Sequence, residues 1–484
     1  MKKLVSKWNN IPITIKASTS YAICGILQKC LSFITLPIFT RLLTAEQYGQ
    51  VTIYSSWHGI LQLFLTLNLA YGSFSTAMIK FEDDRDGYIS SVEGICLTLS
   101  LAFLSIYIPF RHLWNRLFEL PTYIVIFMIA ETLGTTALLL WSGKKRFEFK
   151  YVGVITITLL ISVVSPIIQY ILVITHVEKG YYRIIGVAIC NIIVGGIFLF
   201  LNIVRGRKIF DKKYWKFTLN FNIPLLAYYL SQVIFNQSDR IMISHMVGTD
   251  KAAMYGVAYS LAMVLSFVLN AINNSYVPWF YEKIEKGKAE DNKKISIIIA
   301  GLISLLLLVV IWFAPEIILI MGGEKYVEAV SVVPPVAISL LLLFYSQLFI
   351  NVEFYYEEKS KLVWASIGAA IVNLILNWVF IGIFGYVAAA YTTLVSYLIF
   401  AFANQRAMKQ IIKEKGQIDN LYDYKKLLFL LAIFVGASVA GVALYNSLLT
   451  RVAVCAVVLL AMILERDILI KYVRIIFGGN TSEN

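Results

Sequence analysis

The chain has 484 residues, of which 59% are hydrophobic and only 15% are charged. A soluble core cannot absorb so much apolar surface, so the composition excludes a soluble globular protein and predicts a polytopic membrane protein. The formal net charge of +13 would suit a nucleic-acid-binding protein, but the basic residues alternate with apolar runs, which excludes that class.

Fourteen apolar runs follow one another, each close to the roughly 20 residues that a membrane-spanning helix needs. Spans 1 to 14 cover residues 17–40, 48–70, 88–110, 117–141, 151–174, 184–204, 219–246, 253–278, 295–321, 327–352, 362–383, 385–405, 426–446 and 449–470. The runs are too long for barrel strands and predict an all-α membrane protein of about fourteen transmembrane helices.

The lysines and arginines that separate the spans follow an alternating pattern. With the N-terminus placed inside, the inside segments carry 32 of these residues and the outside segments carry 8. This is the positive-inside bias of a multi-pass inner-membrane protein whose two termini are cytoplasmic. The basic balance therefore reflects topology, and no nucleic acid is expected as a partner. The two cations left over from this count, Lys29 and Arg240, fall in the interior of spans 1 and 7.

The remaining composition signals are consistent with a protein that works inside the membrane. The five cysteines lie within spans without CxxC spacing, which predicts small buried residues and neither disulfides nor metal ligands. Lys2, Lys3 and Lys7 precede a long span without a small-residue cleavage site, so we expect an uncleaved first helix. All loops between spans are short, which leaves no room for a catalytic domain and predicts that the protein is not an enzyme.

A short internal repeat divides the chain. Ser32 precedes Arg41 by nine residues in span 1, and Ser231 precedes Arg240 by nine in span 7. The following spans open at Tyr48-Gly49 and at Tyr255-Gly256. Both units start on the inside, so the pattern predicts a parallel repeat of two six-helix lobes. The predicted divisions are an N-lobe at 1–216, a C-lobe at 217–424, and helices 13 and 14 with a cytoplasmic tail at 425–484.

Three motifs resemble a known family. They are the stretch Leu36 to Gly49, the stretch Ser238 to Ile243 followed by Gly248 and Tyr255-Gly256, and the stretch Gly323 to Tyr326 before Pro334-Pro335. They resemble signatures of the Wzx-type polysaccharide and O-antigen flippases of bacteria, within the multidrug, oligosaccharidyl-lipid and polysaccharide exporters. The resemblance covers essentially the whole chain. It implies a flippase that moves an undecaprenyl-pyrophosphate-linked oligosaccharide from the cytoplasmic to the outer leaflet by alternating access.

Polar residues recur on one side of four spans. They are Gln28, Lys29, Ser32 and Thr35 in span 1; Ser55, His58, Gln62 and Thr66 in span 2; Gln232, Asn236 and Arg240 in span 7, with Asp239 alongside; and Ser266, Asn270, Asn273 and Asn274 in span 8. Facing one another, these stripes would build a hydrated cavity with cationic walls. Cations would neutralise a pyrophosphate, and amides and hydroxyls would bind sugar hydroxyls.

From these stripes, and from Arg41 at the outer boundary of span 1, we predict a set of substrate-binding residues. They are Lys29, Arg240, Arg41, Gln28, Asn236, Gln62, Asn270 and Asn273. Structural alternatives remain open for several of them. Lys29 could snorkel or pair with Glu131 of span 4, Arg41 could be an interfacial anchor, and Ser, Thr and Asn stripes often serve only as contacts between helices. His58 is more often a satisfied core histidine than a proton carrier.

The chain has no P-loop, so we expect no direct ATP hydrolysis and no cofactor. The resemblance implies coupling to a cation gradient, with H+ or Na+ as the ion. Asp239 and Glu131 are the intramembrane carboxylates available for such coupling. The resemblance also implies as partners a polyprenyl-pyrophosphate-linked sugar, membrane lipid, a polysaccharide polymerase and a chain-length regulator.

Three other functions compete with the flippase. A small-molecule antiporter of the drug-exporter branch would have twelve helices rather than fourteen. A peptidoglycan-precursor flippase would carry a related lipid pyrophosphate. A membrane-embedded polysaccharide polymerase would need a sizeable outer loop with paired acidic or arginine residues, and the short outer loops disfavour it.

Overall fold

The computed structural model describes residues 12–415 and 421–464, and these form helices without any strand. The α-helices are α1 Ile13–Leu42, α2 Ala45–Thr66, α3 Phe74–Lys80, α4 Arg85–Tyr107, α5 Arg111–Phe118, α6 Thr122–Phe147, α7 Tyr151–Thr175, α8 Lys179–Gly206, α9 Lys212–Asn222, α10 Leu226–Met246, α11 Thr249–Glu285, α12 Asp291–Trp312, α13 Ala314–Gly322, α14 Val333–Tyr355, α15 Lys359–Phe384, α16 Ala388–Lys415, α17 Tyr424–Ala443 and α18 Leu448–Leu464. Short 3-10 helices occupy Glu82–Asp84, Ile223–Leu225 and Glu324–Val332. The predicted all-α class is confirmed.

Each predicted span overlaps one helix of 17 or more residues in the described part of the chain. Ten helices are long and apolar enough to cross a membrane. Two of the long helices outside that set, α2 and α10, each carry one of the four predicted polar stripes and are correspondingly less apolar. Fourteen crossings and cytoplasmic termini stay predictions. Lys2, Lys3, Lys7 and the end of span 14 lie outside the described residues.

Two of the apolar runs are interrupted in the structure. Span 7 was expected as one helix over 219–246, but α9 ends at Asn222 and α10 begins at Leu226 after a 3-10 turn. Pro224 lies in that turn, where its fixed φ and missing N–H suit the start of a helix, so it is not in the interior of either helix. Span 9 was likewise expected as one helix over 295–321, but α12 ends at Trp312 and α13 begins at Ala314. Pro37 and Pro166 do lie inside helices, in α1 and α7.

The chain divides into two compact units, and the boundary between them in the sequence lies between Ala253 and Met254. The first unit includes α10, which packs against α2. The predicted lobe boundary lies earlier, between residues 216 and 217, and the division into two six-helix lobes stays a prediction.

Loops that the charge pattern places on the same side meet within the first unit. At the predicted inner end, Lys144 binds Asp86 at 2.6 Å and Lys208 binds Asp84 at 2.5 Å. At the other end of the unit, Ser244 donates a hydrogen bond to Glu119 at 2.5 Å. The alternation of inner and outer loops therefore agrees with the folded helices of this unit.

Helix ends of the second unit that the charge pattern places on the same side also meet. At its predicted inner end, Lys361 lies 3.3 Å from Glu414. At its outer end, Arg451 binds Glu316 at 2.7 Å, and its side chain is 1% exposed. Arg451 therefore joins α18 to α13 through a buried guanidinium group, a role that charge counting alone did not predict.

The five cysteines are all free thiols, as expected. Cys24, Cys96 and Cys190 are buried, Cys455 is half-buried and Cys30 is exposed. The predicted burial of Cys30 is wrong because α1 packs mainly on α7 and leaves most of its surface uncovered.

Candidate functional site

Glu131 on α6 is the centre of a polar cluster in the first unit, and it is 3% exposed. Tyr54 on α2 donates its hydroxyl to Oε2 at 2.5 Å, and Asn191 on α8 donates Nδ2 to Oε1 at 2.8 Å. The His58 ring stacks on Tyr54 with centroids 5.9 Å apart. Three helices therefore meet at one carboxylate, and each of its oxygens has a donor.

Two glycines set the distance between α6 and α8 at this cluster. A Cβ atom on Gly195 would lie 2.2 Å from the carbonyl oxygen of Gly134, and one on Gly134 would lie 2.6 Å from the carbonyl oxygen of Asn191. Small residues allow helix backbones to approach closely in membranes. Because Glu131 and Asn191 each lie one turn from these glycines, the close approach brings the amide to the carboxylate.

Lys29 does not pair with Glu131, which was one of the two structural alternatives for this lysine. Tyr54 and Asn191 already occupy the Glu131 carboxylate. Lys29 is exposed on α1, and no hydrogen bond or ion pair joins it to another described residue. Its neighbour Gln28 donates Nε2 to Ser162 of α7 at 3.3 Å. The structure thus separates the predicted cation of span 1 from the carboxylate of span 4.

The predicted residues of α10 form a local network. Arg240 donates Nη1 to the Gln237 side chain at 2.8 Å and to the Asn236 carbonyl oxygen at 3.2 Å. Gln237 lies against α2, since a Cβ on Gly59 would be 3.3 Å from its Nε2. Asp239 is buried, at 3% exposure. Contact with α2 therefore fixes the side chain that orients the guanidinium of Arg240.

The other two predicted residues of the first unit are more peripheral. Arg41 is exposed and donates Nη1 to the carbonyl oxygen of Pro37 at 3.0 Å. Gln62 is half-buried, and its carbonyl oxygen accepts the Thr66 hydroxyl at 2.8 Å. Both residues lie on the helices where they were predicted.

The predicted asparagines of the second unit pair with α14. Asn270 accepts Nε2 of Gln347 at 3.1 Å, and Asn273 accepts Nδ2 of Asn351 at 2.9 Å. These two contacts form successive polar rungs between α11 and α14. Sequence reasoning missed the α14 partners, although Gln347 and Asn351 are four residues apart and share a helix face.

Two buried glutamates were also missed. Glu93 on α4 is 1% exposed, and its Oε1 accepts Nδ2 of Asn202 from α8 at 2.6 Å. Glu353 on α14 is also 1% exposed. Glu93 lies inside span 3, where a charged residue is itself a signal, whereas Glu353 lies one residue beyond the predicted end of span 10.

A third missed feature is a neutral polar cluster between α15 and α16. Asn373 and Asn377 are fully buried. Asn373 donates Nδ2 to Thr393 at 3.2 Å, Asn377 donates to Asn373 at 3.2 Å, and Thr392 donates to Asn377. The i, i+4 spacing of the two asparagines was the available signal. Across residues 12–415 and 421–464, no group of three or more His, Cys, Asp and Glu residues is placed to hold a metal ion.

Known proteins match this arrangement over most of the chain. Residues 15–284 match the family described as polysaccharide biosynthesis protein, and residues 224–379 match the MatE family. The chain belongs to the polysaccharide biosynthesis protein family. Lsg locus putative protein 1 of Haemophilus influenzae is 25% identical over 359 residues, which cover 72% of this chain and 86% of that protein. An uncharacterized membrane protein of the same species is 21% identical over 380 residues, 74% of this chain and 88% of that one.

Solved structures share the fold. The lipid II flippase MurJ in an inward closed conformation has a TM-score of 0.71 at 12% identity, covering 93% of this chain and 99% of that chain. An inward-facing multidrug resistance MATE family transporter of the MOP superfamily has a TM-score of 0.66 at 14% identity, covering 81% of this chain and 96% of that one. This member of the polysaccharide biosynthesis protein family thus shares its fold with multi-pass membrane transporters, and ten of its described helices are long and apolar enough to cross a membrane.

Proposed function

We propose that the protein flips an undecaprenyl-pyrophosphate-linked oligosaccharide from the cytoplasmic to the outer leaflet by alternating access. Family membership supports the class of cargo. The observation that carries the proposal is Lys29, a cation in the middle of a 30-residue apolar helix that pairs with no other described residue.

A charged side chain at mid-depth in a membrane is costly and usually faces a partner or a hydrated cavity. Since the Glu131 carboxylate is already occupied, the pyrophosphate of the cargo is the counter-charge that we assign to Lys29. The remaining residues would contact the pyrophosphate or the sugar hydroxyls during passage. They are Arg240, Arg41, Gln28, Asn236, Gln62, Asn270 and Asn273.

Flipping against a gradient needs an energy source, and we propose a gradient of H+ or Na+. Asp239 and Glu131 are the carboxylates that we assign to coupling, since both are buried within helices of the first unit. Glu131 already binds two donors, so gaining a proton would force the Tyr54 or Asn191 hydrogen bond to rearrange. Such a rearrangement would link ion binding to the packing of α2, α6 and α8.

The direct test is leaflet exchange in reconstituted vesicles that carry a labelled polyprenyl-pyrophosphate sugar. We expect exchange above that of protein-free vesicles, and a loss of most of it in Lys29→Ala. Lys216→Ala removes an exposed lysine from α9 and is the matched control, with wild-type exchange expected. No exchange by a folded wild-type protein would refute the flippase. Normal exchange by Lys29→Ala would assign Lys29 to structure.

A peptidoglycan precursor is the alternative cargo, because the chain shares its fold with MurJ, which is described as a lipid II flippase. Vesicles that contain lipid II instead of the oligosaccharide lipid distinguish the two cargoes by rate. Uptake of a cationic dye driven by an ion gradient tests the drug-type antiporter in the same preparation. We also propose a polysaccharide polymerase and a chain-length regulator as partners, and co-purification from crosslinked membranes tests both.

A further inference from the structure

Glu353 lies near the inner end of α14 in the second unit, and its side chain is almost completely enclosed. The residue is 1% exposed, and neither Oε1 nor Oε2 has a hydrogen-bond partner among the described residues. Buried polar groups are nearly always hydrogen-bonded, so an exception calls for a chemical reason. Nothing in the flipping step proposed above uses this residue.

The Lys361 ammonium of α15 attracts this carboxyl group electrostatically, which favours the ionised form of Glu353. Lys361 is itself engaged by Glu414 of α16, 3.3 Å away, with side-chain exposures of 24% and 49%. Three helices that pack together in this unit therefore present two carboxyl groups and one ammonium at the same end.

Neutral side chains of other helices around this end of α14 already donate to backbone carbonyl oxygens. Tyr281 of α11 donates its hydroxyl to the Asn351 carbonyl oxygen at 3.3 Å. Tyr422, just before α17, donates to the Leu348 carbonyl oxygen at 2.8 Å. Asn292 of α12 donates to the Leu421 carbonyl oxygen at 3.1 Å. None of these three hydrogen bonds involves Glu353.

The protonation state of Glu353 follows from its burial, its lack of donors among the described residues and the engagement of Lys361 by Glu414. An ionised carboxylate without donors or a paired cation is very costly in a low-dielectric interior. A neutral carboxylic acid avoids most of that cost. While Lys361 binds Glu414, the neutral form of Glu353 is therefore the compatible one.

We propose that Glu353 is a proton-binding site at the inner end of the second unit, which exchanges its proton for the Lys361 ammonium. With Lys361 on Glu414, Glu353 carries the proton. When Lys361 turns to Glu353, the proton leaves to water at the inner end and the ammonium replaces it as the counter-charge. Glu414, which is half exposed, is then left to water. This exchange does not depend on the identity of the cargo.

The test is infrared difference spectroscopy on the full chain in lipid nanodiscs at neutral pH. The carbonyl stretch of a protonated carboxyl group is separate from the carboxylate bands. We expect Glu353→Gln to remove one such band from the wild-type spectrum. If the two spectra do not differ there, Glu353 is ionised and the proposal is wrong. Should Glu353→Gln not fold, Glu353→Asp is expected to shift the band.

The proposed exchange with Lys361 is tested separately, by freeing Lys361 from Glu414. Glu414→Gln releases Lys361, so the Glu353 band should shrink several-fold, although Glu353 itself is unchanged. The matched control is Glu358→Gln, which breaks the neighbouring 3.6 Å pair with Lys415 and should leave the band intact. A full band in Glu414→Gln would overturn the exchange. Because the readout is spectroscopic, a failure of lipid flipping would not affect this result.

Discussion

Glu131 in the first unit and Glu353 in the second are both glutamates on long helices, and they are 3% and 1% exposed. They differ in their donors. Glu131 accepts hydrogen bonds from Tyr54 and Asn191, whereas Glu353 accepts none from the described residues. Glu93 of the first unit is intermediate in its hydrogen bonding: one oxygen accepts from Asn202, and the other has no partner among the described residues.

This comparison shows that burial alone does not define the chemistry of an acidic residue in a membrane protein. Donors on neighbouring helices stabilise a carboxylate and tie those helices together. A carboxyl group without donors contributes nothing of that kind and is free to exchange a proton. The first arrangement stabilises a bundle, and the second allows it to respond to charge.

The largest expected effect comes from the glycine contact that brings Asn191 to Glu131. Gly195→Ala places a Cβ 2.2 Å from the Gly134 carbonyl oxygen, so α6 and α8 must separate. Overpacking of this kind costs about 3 kcal/mol. Gly196→Ala is the matched control, since a Cβ there meets nothing within 4 Å. Replacing a helical glycine with alanine in open space is stabilising by about 0.5–1 kcal/mol.

The measurement is the thermal unfolding midpoint of each variant in detergent. We expect the midpoint to fall in Gly195→Ala and to rise in Gly196→Ala. Such opposite shifts would show that the loss comes from separation of α6 and α8 and not from helix propensity. Equal midpoints for the two variants would mean that α6 and α8 do not need this close approach.

The second effect comes from the Tyr54 hydroxyl. Tyr54→Phe removes one donor from a buried carboxylate, and a hydrogen bond to a charged group contributes about 2 kcal/mol. Tyr345→Phe is the comparison, because Tyr345 donates to a neutral carbonyl oxygen, that of Leu427, at 3.0 Å. That loss should be about 1 kcal/mol. Equal losses, measured by unfolding midpoints, would show that Glu131 is neutral in the folded protein.

Much of the fold could be predicted from the sequence, because apolar length and charge alternation are properties of the chain itself. Each span corresponds to a helix, and helix ends that the charge pattern places on one side, such as those carrying Lys144 and Asp86, do meet. The breaks before α10 and α13 were missed, since a proline inside an apolar run is compatible with a bend or with a helix start.

The candidate site was less accessible to sequence reasoning. Lys29, Arg240 and Glu131 could be selected as charges within spans, but their partners could not. Asn191 reaches Glu131 only because two glycines, 61 positions apart in sequence, touch. Glu353 lies at the edge of its span, where a glutamate usually faces water. Its burial depends on the packing of α14, α15 and α16, which no local pattern encodes.

A smaller effect concerns the inner end of the first unit. Partial burial opposes ionisation of Glu148, but hydrogen bonds from Lys145 and Lys150 outweigh it and lower the pKa of the carboxyl from 4.5 to about 2. The folded pKa is below the unfolded one. Glu148 therefore contributes stability above pH about 4.5, and this contribution is lost as the pH falls toward 2.

We expect Glu148→Gln to lower the free energy of unfolding at neutral pH by less than about 1 kcal/mol. The difference from wild type, followed by unfolding midpoints across pH, should shrink on acidification. A difference that grows at low pH would contradict the ion-pair assignment.

The smallest expected effect on stability is that of Glu353→Gln, and the same substitution at Glu131 supplies its contrast. Glutamine is close in shape to a protonated glutamic acid, so at position 353 it replaces one neutral group with another and should change stability by less than about 0.5 kcal/mol. At position 131 one acceptor becomes an amide donor that faces the Tyr54 hydroxyl or the Asn191 amide, which should cost about 2 kcal/mol. Unfolding midpoints of the two variants at neutral pH measure the difference. A loss of similar size at both positions would mean that Glu353 has a donor in the membrane, and that the two carboxyl groups perform the same structural role.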